Sequence, residues 1–342
     1  MKTKKKKLIF LSPAKGTFVK QDLAFLQEHF SVVRIPAQKK GIAQIFQQIG
    51  IFFKILSMRK DYDYLYLWFA GYHSFLPTLA AKIGGIRSIV IIGGNDAAKE
   101  KALNYGALRK PISRWCIKKT CDWADLILPV SQFTKNKLFL NLKKAYPSKT
   151  KVIYNATSNH FLDINPEQKR TNSVVCICNI SSWNAARLKG VDFLMELAQA
   201  YPKADFHLIG IKDPLLKDLR QKVSDNLQVH AFMPQEELKT ILNTAKVIAQ
   251  FSRHEAFGLA LIEGMLCECV PVGYNFGATA EIINAKVGFL IDDLKVDLAI
   301  PALEKAFQQQ AQLGPLARQL VLDNFPLALR KQQLLNTLES IE

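Results

Sequence analysis

The sequence lacks the features that would assign it to a membrane-spanning, secreted or zinc-binding class. Its 342 residues contain no apolar run of the roughly 18–20 residues that a spanning helix needs. The apolar part of its basic start, residues 8–11, is too short for the core of a signal peptide. The six cysteines include no C-x-x-C pair. We therefore expect a cytoplasmic protein whose cysteines are small buried hydrophobes.

Acidic residues are scarce in the first part of the chain. Residues 1–151 hold 28 Lys or Arg against 8 Asp or Glu, whereas residues 152–342 hold 18 against 21. This asymmetry indicates an anionic partner for the first part: nucleic acid, acidic lipid or a phosphate-bearing substrate. No nucleic-acid-binding module is recognisable, so we expect no nucleic acid partner. The basic segments 4–7 and 110–119 instead predict docking on an acidic membrane surface, with a solvated basic face as the alternative.

Short apolar runs alternate with helical patterns along the whole chain. Strands are predicted within 8–11, 31–36, 62–69, 87–95, 125–131 and 151–155, and again within 173–180, 204–210, 227–232, 247–252, 270–274 and 288–291. A polar stretch, residues 156–172, resembles a linker between the two series. The pattern predicts two doubly wound α/β domains, residues 1–160 joined by a C-terminal helix 326–342, and residues 171–322. Two such domains facing each other form a cleft for ligands.

One predicted helix, within residues 41–60, carries a broad apolar stripe. Its members recur at helical spacing: Ile42, Ile45, Phe46, Ile49, Phe52, Phe53 and Leu56. We interpret Ile49, Phe52 and Phe53 as core residues rather than as a wedge that enters a membrane.

The stretch SRHEAFGLALIEG, residues 252–264, combines two carboxylates with a helix start. Glu255 lies in a loop that follows an apolar strand, and the helix begins near Gly258 and Leu259. Free amide groups at a helix start bind anions such as a diphosphate. Glu263 lies about one and a half turns into the helix, on the face of Leu259, where its carboxylate can accept hydrogen bonds from a ribose diol. These features together predict a sugar-nucleotide site.

At this point the residues resemble the family 4 glycosyltransferases of GT-B fold. The carrying motif is Glu255-Ala256-Phe257-Gly258-Leu259-Ala260-Leu261-Ile262-Glu263, the E-x7-E motif of that family. Further matching segments follow in the expected order: residues 187–194, which look like the "KG" loop and helix, residues 231–238, which look like the loop that holds the nucleotide base, and residues 264–265, 270–272 and 277–281. The resemblance is strong over residues 150–295 and weaker before them.

The resemblance implies retaining transfer of a sugar from a nucleotide-sugar donor without a metal or other cofactor. It implies that Glu255 positions the donor sugar, and that Lys189 and Arg187 stabilise the charge of the leaving diphosphate. We expect the donor also to contact Glu263, Gly258, Leu259, Phe257, Ala256, Phe232 and Met233, and Gly16 in the first strand–helix loop to let the backbone approach the phosphates. The sequence does not determine the base of the donor, so that a UDP-, GDP- or ADP-linked sugar remains open.

The chain departs from the family pattern in two places. No arginine directly follows the first strand of the second domain, and Arg187 is our preferred substitute over Asn179. A first-domain histidine is replaced by Asn95-Asp96, and we assign Asp96, Asn95 and His73 to the acceptor side. The family implies an acceptor that is a glycan or a lipid-linked molecule, met at the inner face of a membrane during cell-surface glycan synthesis. A sugar-nucleotide epimerase of the same fold and a non-catalytic sugar-nucleotide-binding protein are the alternatives.

Overall fold

The chain divides into two compact units. The computed structural model describes residues 5–14, 16–37, 41–157, 159–164 and 169–341. The first unit comprises Met1–Asn155 and Arg330–Glu342, and the second comprises Ala156–Leu329. The stretch that we interpreted as a linker, residues 156–172, therefore belongs to the second unit. Its Phe161 is fully buried, which a solvated linker would not require.

The first unit is built on a five-stranded parallel sheet in the order β2-β1-β3-β4-β5. Every residue of β3 is buried, as expected of a central strand covered by helices on both faces. The strands and helices are β1 (Lys7–Ser12), α1 (Thr17–His29), β2 (Ser31–Pro36), α2 (Ile42–Ser57), β3 (Tyr64–Trp68), α3 (Tyr72–Gly84), β4 (Arg87–Ile92), α4 (Pro111–Trp123), β5 (Leu126–Pro129) and α5 (Gln132–Leu142).

The strand predicted at residues 151–155 is wrong. The segment follows β5 through only two backbone hydrogen bonds, from Lys151 N to Ile127 O at 3.1 Å and from Ile153 N to Pro129 O at 3.1 Å. This sparse pairing leaves it without regular strand structure.

The second unit is built on a six-stranded parallel sheet in the order β11-β10-β9-β6-β7-β8. This is the order of a dinucleotide-binding fold, in which ligands bind beyond the carboxyl ends of the strands. The elements are β6 (Thr171–Ile180), α6 (Trp183–Leu188), α7 (Val191–Ala200), β7 (Asp205–Ile211), α8 (Leu215–Arg220), β8 (Leu227–Ala231), α9 (Gln235–Thr244), β9 (Ala245–Gln250), α10 (Leu259–Leu266), β10 (Val270–Tyr274), α11 (Thr279–Ile282), β11 (Phe289–Ile291), α12 (Val296–Gln308) and α13 (Gln310–Asn324). The last helix, α14 (Leu327–Glu339), belongs to the first unit from Arg330 onward.

Part of the apolar stripe predicted for α2 faces solvent. Four of its side chains are largely exposed, namely Ile45 (59%), Phe46 (70%), Ile49 (42%) and Phe53 (63%). Phe52 and Leu56, which also belong to the stripe, pack against the core in which Ile51 and Ile55 are buried among residues of β1, β3 and α3. Our assignment to the core is therefore wrong for Ile49 and Phe53 and confirmed for Phe52. We call the four exposed side chains the α2 face.

The end of the chain is fixed to the first unit by a buried ion pair. Arg330 on α14 donates from Nε to Asp22 Oδ1 at 2.9 Å and from Nη2 to Asp22 Oδ2 at 2.8 Å. Tyr66 Oη donates to the same carboxylate at 2.7 Å, and Arg330 Nη1 donates to the Tyr154 carbonyl at 2.8 Å. A bidentate pair whose remaining donors are satisfied is the arrangement that makes a buried charge tolerable.

The cysteines behave as the sequence predicts. All six are buried and form no disulfide. Burial raises the pKa of the Cys267 thiol to about 12, so that this group stays protonated and unreactive. In the parts of the chain that the structure describes, no helix is long and apolar enough to cross a bilayer.

Candidate active site

Glu255 lies in the loop that follows β9, at the carboxyl end of a central strand of the second sheet. Its side chain is mostly buried, and one oxygen, Oε2, accepts three hydrogen bonds: from Lys189 Nζ at 2.8 Å, Gln250 Nε2 at 3.1 Å and Ser252 Oγ at 3.3 Å. The other oxygen, Oε1, accepts none from the described residues. Three donors thus fix the carboxylate while one oxygen stays available to a ligand.

Lys189 reaches Glu255 from the loop between α6 and α7. Burial alone would raise the pKa of Glu255, but the Lys189 ammonium holds that pKa below its ordinary value. Burial would likewise lower the pKa of Lys189, and the Glu255 carboxylate raises it instead. Both groups are therefore charged at neutral pH. Gly190, which follows, has φ +72°, and a Cβ there would lie 2.1 Å from the Phe251 carbonyl oxygen.

Arg187 does not join this pair. Its side chain is exposed and has no hydrogen-bond or ion-pair partner among the described residues, whereas its backbone carbonyl accepts from the Gly190 amide at 3.2 Å and from Arg253 Nη1 at 2.6 Å. The same Arg253 nitrogen donates to Asp192 Oδ1 at 2.6 Å. Arg253, which the sequence reasoning did not single out, therefore connects the loop after β9 to the loop that carries Lys189.

The N-terminus of α10 follows Glu255 directly. Gly258 caps the helix in the left-handed region, with φ +100°, a conformation that favours glycine. The Leu261 amide donates to the Gly258 carbonyl at 3.1 Å, so that the amides of Leu259 and Ala260 are the ones without an acceptor within the helix and can bind an anion.

Glu263 is the second carboxyl group of this region, and burial raises its pKa to about 7. Among the described residues it has no hydrogen-bond or ion-pair partner. A half-buried carboxyl group that has no partner among the described residues is a candidate for binding a ligand.

A second loop supports Glu255 from the opposite side. The backbone amide of Ala278 donates to the Glu255 carbonyl at 3.0 Å. A Cβ on the preceding Gly277, which has φ +73°, would lie 2.9 Å from that carbonyl oxygen. The Gly277-Ala278 segment noted in the sequence is therefore a close backbone contact that positions Glu255.

The other residues predicted to contact the nucleotide-sugar donor differ in how exposed they are. Phe257 is buried and packs edge-on against Phe325, with ring centroids 5.4 Å apart, so its side chain belongs to the core. Ala256 is half-buried beside it. Phe232 is largely exposed and Met233 half-exposed just after β8. Gly16 precedes α1 in the first unit with an ordinary φ of −60°, and its nearest neighbour is the Phe18 ring.

The three acceptor-side residues line a single cavity in the first unit. His73, Asn95 and Asp96 share this cavity of about 540 Å³ with side chains that include Arg109 and Ser113. The cavity lies where the loops after β3 and β4 meet the start of α4. No sequence motif distinguishes Arg109, Lys110 and Ser113 as site residues, so they were not predicted to line a site.

Asp96 and His73 are both fixed by backbone groups. The Asp96 carboxylate accepts from the amides of Ala70 at 3.0 Å, Gly94 at 2.8 Å and Gly93 at 3.3 Å. Burial raises the pKa of Asp96 to about 6 although these amides act in the opposite direction. His73 Nε2 lies 2.9 Å from the Phe69 carbonyl oxygen, to which it donates, and burial lowers the pKa of this imidazole. We expect it to be neutral at pH 7.

The carboxylates and histidines of these regions do not assemble into a metal-binding set. Over the described ranges, no three His, Cys, Asp or Glu side chains are grouped so that they could hold a metal ion.

Comparison with known proteins shows a family resemblance within the second unit. Residues 179–320 match the family described as "Glycosyl transferases group 1". Trehalose synthase of Thermococcus litoralis is 26% identical over 197 residues, which cover 52% of this chain and 46% of that protein. A subunit of the phosphatidylinositol N-acetylglucosaminyltransferase of Arabidopsis thaliana is 26% identical over 135 residues, 37% of this chain and 30% of that protein. The chain thus spans less than half the length of these curated relatives.

Solved structures extend the likeness to both units. HepE of Anabaena, in complex with UDP and glucose, superposes with a TM-score of 0.76 at 18% identity, covering 98% of this chain and 100% of that one. Sucrose-phosphate synthase of Thermosynechococcus elongatus superposes with a TM-score of 0.75 at 15% identity, with the same coverage of both chains. The predicted GT-B fold of two Rossmann-like units is confirmed, and so is the resemblance to glycosyltransferases.

Proposed function

We propose that this chain, whose residues 179–320 form a domain of the glycosyl transferases group 1 family, is a retaining, metal-independent glycosyltransferase. It moves a sugar from a nucleotide-sugar donor to a glycan or lipid-linked acceptor in cell-surface glycan synthesis. The observation that carries the proposal is the Lys189–Glu255 pair beside the N-terminus of α10. The family match and the solved neighbour that holds UDP support it.

The two members of the pair have different roles: Glu255 binds the donor sugar, and Lys189 stabilises negative charge. The unoccupied oxygen of Glu255 accepts hydrogen bonds from hydroxyl groups of the donor sugar, because Lys189, Gln250 and Ser252 occupy the other oxygen. As the bond to the leaving diphosphate breaks, negative charge grows on its oxygens. The Lys189 ammonium stabilises that charge together with the first amides of α10. Arg187 lies exposed on the same segment as Lys189 and joins them when donor binds.

The remaining donor contacts follow from the position of α10. Glu263, which is half-buried and has no partner among the described residues, accepts hydrogen bonds from the two ribose hydroxyls. Phe232 and Met233, just after β8, contact the base. Gly258 and Leu259 supply backbone amides to the diphosphate, while Ala256 and the buried Phe257 shape the loop that presents them. Gly16 stays a prediction as a phosphate-approach residue.

A donor-binding experiment tests the proposal. Thermal unfolding of the full chain is measured with UDP-, GDP- and ADP-sugars, with UDP-glucose first in the panel. A donor at 100 times its dissociation constant stabilises the fold by roughly 2.7 kcal/mol. Glu263→Ala removes the ribose contact, and Glu196→Ala, an exposed acid on α7, is the matched control. Stabilisation that Glu263→Ala weakens and Glu196→Ala preserves supports the site, whereas no shift with any donor contradicts it.

Product analysis separates the transferase from its two alternatives. Incubated with the stabilising donor alone, a transferase releases nucleoside diphosphate and free sugar slowly by hydrolysis. An epimerase returns an isomer of the donor, and a non-catalytic binding protein returns the donor unchanged. Retention is read from the anomeric configuration of the product once an acceptor is supplied. Addition of EDTA tests metal independence and leaves the rate unchanged if the proposal is correct.

We further propose that the first unit docks on an acidic membrane surface from the cytoplasmic side. The α2 face is an unpartnered apolar surface in the unit that also carries the excess of Lys and Arg. The C-terminal end of α2 is flanked by the exposed cations Lys54, Arg59 and Lys60. Helix α4, which packs against α3, exposes Ile112 and Trp115. Apolar side chains that enter the head-group region, framed by cations, are typical of interfacial helices.

The basic segments predicted to carry this docking contribute unequally. Lys4 lies outside the described residues. Lys5 donates to the Glu28 carbonyl at 2.7 Å, and Lys7 lies 3.7 Å from Asp61. In the segment 110–119, Lys118 pairs with Asp122 at 3.1 Å, whereas Lys110 is exposed. We therefore assign the main contact to the α2 face and its neighbouring cations rather than to residues 4–7.

A further inference from the structure

The cavity of the first unit has a polar corner that none of the roles above uses. Lys110 caps the N-terminus of α4, and Ser113 lies in the first turn of that helix. Arg109, Lys110 and Ser113 all line the cavity. The corner thus combines two cations, a hydroxyl group and the start of a 13-residue helix.

The helix start offers unused hydrogen-bond donors. Pro111 occupies the first helical position and has no amide hydrogen, and the Arg114 amide already donates to the Lys110 carbonyl at 2.9 Å. The amides of Ile112 and Ser113 have no acceptor within the helix. Aligned peptide dipoles add partial positive charge at this end, which favours an anion.

Ser113 gives a second, independent indication. Its side chain is only 3% exposed, and it lines the cavity. Among the described residues, none forms a hydrogen bond with its hydroxyl group. A buried polar group costs free energy unless it finds a partner, and the cavity is the place from which a partner can come.

The two cations at this corner are not neutralised by protein carboxylates. Within the described ranges, Arg109 and Lys110 form no ion pair, and Arg109 donates only to the side-chain oxygen of Asn104. Glu100, a nearby acid on the same loop, pairs with Lys137 at 2.8 Å. The carboxylate of Asp96 also lines the cavity, but three backbone amides bind its oxygens.

The corner is rigid enough to be a preformed site. The Ala107 amide donates to the Asn95 carbonyl at 2.8 Å, and the Leu108 amide donates to the Ala98 carbonyl at 3.1 Å. Gly106, at φ +103°, brings this turn so close that a Cβ would lie 2.1 Å from the Ala98 carbonyl oxygen. The loop that holds Asp96 and the turn that holds Arg109 are therefore one braced unit.

We propose that this corner, formed by Arg109, Lys110, Ser113 and the first amides of α4, is an anion subsite that binds a phosphate or carboxylate group of the acceptor. The proposal rests on the transferase function above, because it assigns the cavity to the acceptor. It specifies the acceptor class: the molecule carries a negatively charged group near the hydroxyl that receives the sugar. A phosphate of a lipid-linked carrier and the carboxylate of an acidic sugar share this chemistry.

Titration calorimetry with small anions tests the subsite on the full chain. The probes are inorganic phosphate and glucuronate at constant ionic strength, with glucose as the uncharged reference. We expect one or both anions to bind and glucose not to bind. Arg109→Gln weakens binding about tenfold, because it removes a charged fork donor, and Ser113→Ala weakens it a few-fold. Preference for phosphate indicates a phosphorylated acceptor, and preference for glucuronate indicates an acidic sugar.

Control variants separate this subsite from the donor site and from misfolding. Lys82→Gln removes an exposed cation of α3 away from the cavity and leaves anion binding unchanged. Lys110 is itself exposed, so Lys110→Gln tests the corner without disturbing the core. Anion binding that survives Arg109→Gln and Lys110→Gln but disappears in Lys189→Ala belongs to the donor site and overturns the proposal. The proposal is also overturned if neither phosphate nor glucuronate binds. Nucleotide-sugar binding is measured separately and tests the transferase proposal, so that failure of one proposal can be distinguished from failure of the other.

Discussion

Each unit places one carboxylate beyond the carboxyl end of a central parallel strand, and the pKa values of the two groups are shifted in opposite directions. Glu255 follows β9 and meets the Lys189 ammonium at 2.8 Å, which keeps its pKa low. Asp96 follows β4 and meets only neutral donors, so that burial raises its pKa to about 6. The comparison teaches that strand topology selects the position of such a group, whereas a single partner side chain decides the direction in which its pKa is shifted.

The largest expected effect comes from breaking the Lys189–Glu255 pair. Lys189→Ala should lower kcat by about 10²–10³-fold and change the KM for donor less, because the lost charge acts mainly on the transition state. Steady-state kinetics measure both constants, and Lys222→Ala, which removes a half-exposed lysine paired with Asp218, is the control. A rise in KM at constant kcat would make Lys189 a ground-state binding residue. Thermal unfolding must accompany the assay, since Glu255 loses its partner.

The next effect concerns Asp96 and the pH dependence of stability. Its pKa in the folded state, about 6, lies above its ordinary value of 3.8, so the folded state binds the proton more tightly. Stability from this group is therefore complete below pH 4 and is lost as pH rises through 6, by about 3 kcal/mol. Chemical denaturation of wild type and Asp96→Asn across pH 4–7 tests this. The variant should lose less stability over this range, and equal slopes for both proteins would refute it.

A smaller effect is expected at Glu263, the carboxyl group without a partner among the described residues. Glu263→Ala should weaken nucleotide binding by about 1.5–3 kcal/mol through lost charged hydrogen bonds to ribose. Its pKa of about 7 adds a pH test: nucleotide affinity should improve from pH 6 to pH 8 as the carboxyl ionises. Calorimetry on wild type, Glu263→Ala and the control Glu196→Ala gives both results. Unchanged affinity in a folded Glu263→Ala protein would remove Glu263 from the donor site.

The smallest effect sharpens the contrast between the basic first unit and the nearly neutral second. Replacing Phe46 and Phe53 by Ser should reduce partition onto anionic vesicles about tenfold, with little loss of stability because both rings are exposed. Sedimentation with anionic and neutral vesicles, each at low and high salt, measures the partition. Binding to anionic vesicles that the double variant retains would place the contact elsewhere. No binding to either vesicle would contradict membrane docking.

The sequence predicted the alternation of strands and helices well because parallel sheets concentrate apolar residues in short, recognisable runs. The prediction failed in the segments described next. The residues 151–155 are apolar enough for a strand but make only two hydrogen bonds to β5. Helix α13 was not predicted, since it contains Gly314 and the helix-interior Pro315. Ile49 and Phe53 of the α2 stripe were misassigned because periodicity shows that a helix has an apolar face, but not what covers each part of it.

The site was predicted unequally in the two units. The E-x7-E stretch is contiguous, so the order of residues along one loop and helix already brings Glu255, Gly258 and Glu263 near each other. Gln250, Ser252 and Arg253 stand close to Glu255 in sequence, and attention to polar residues at the end of β9 would have found them. The anion subsite has no such signal. Arg109 and Asp96 are brought to one cavity by backbone contacts between two loops, which no local pattern records.

The Asp22–Arg330 pair has a consequence for synthesis of the protein. Its two partners are separated by 308 residues, so the first unit cannot gain this contact until the C-terminal helix has left the ribosome. Until then Asp22 and Tyr66 share a buried site that lacks its cation. The second unit, Ala156–Leu329, is continuous in sequence and meets no such delay. We therefore expect the second unit, although it is synthesised later, to reach its native state first, and the first unit to be completed only after α14 has emerged.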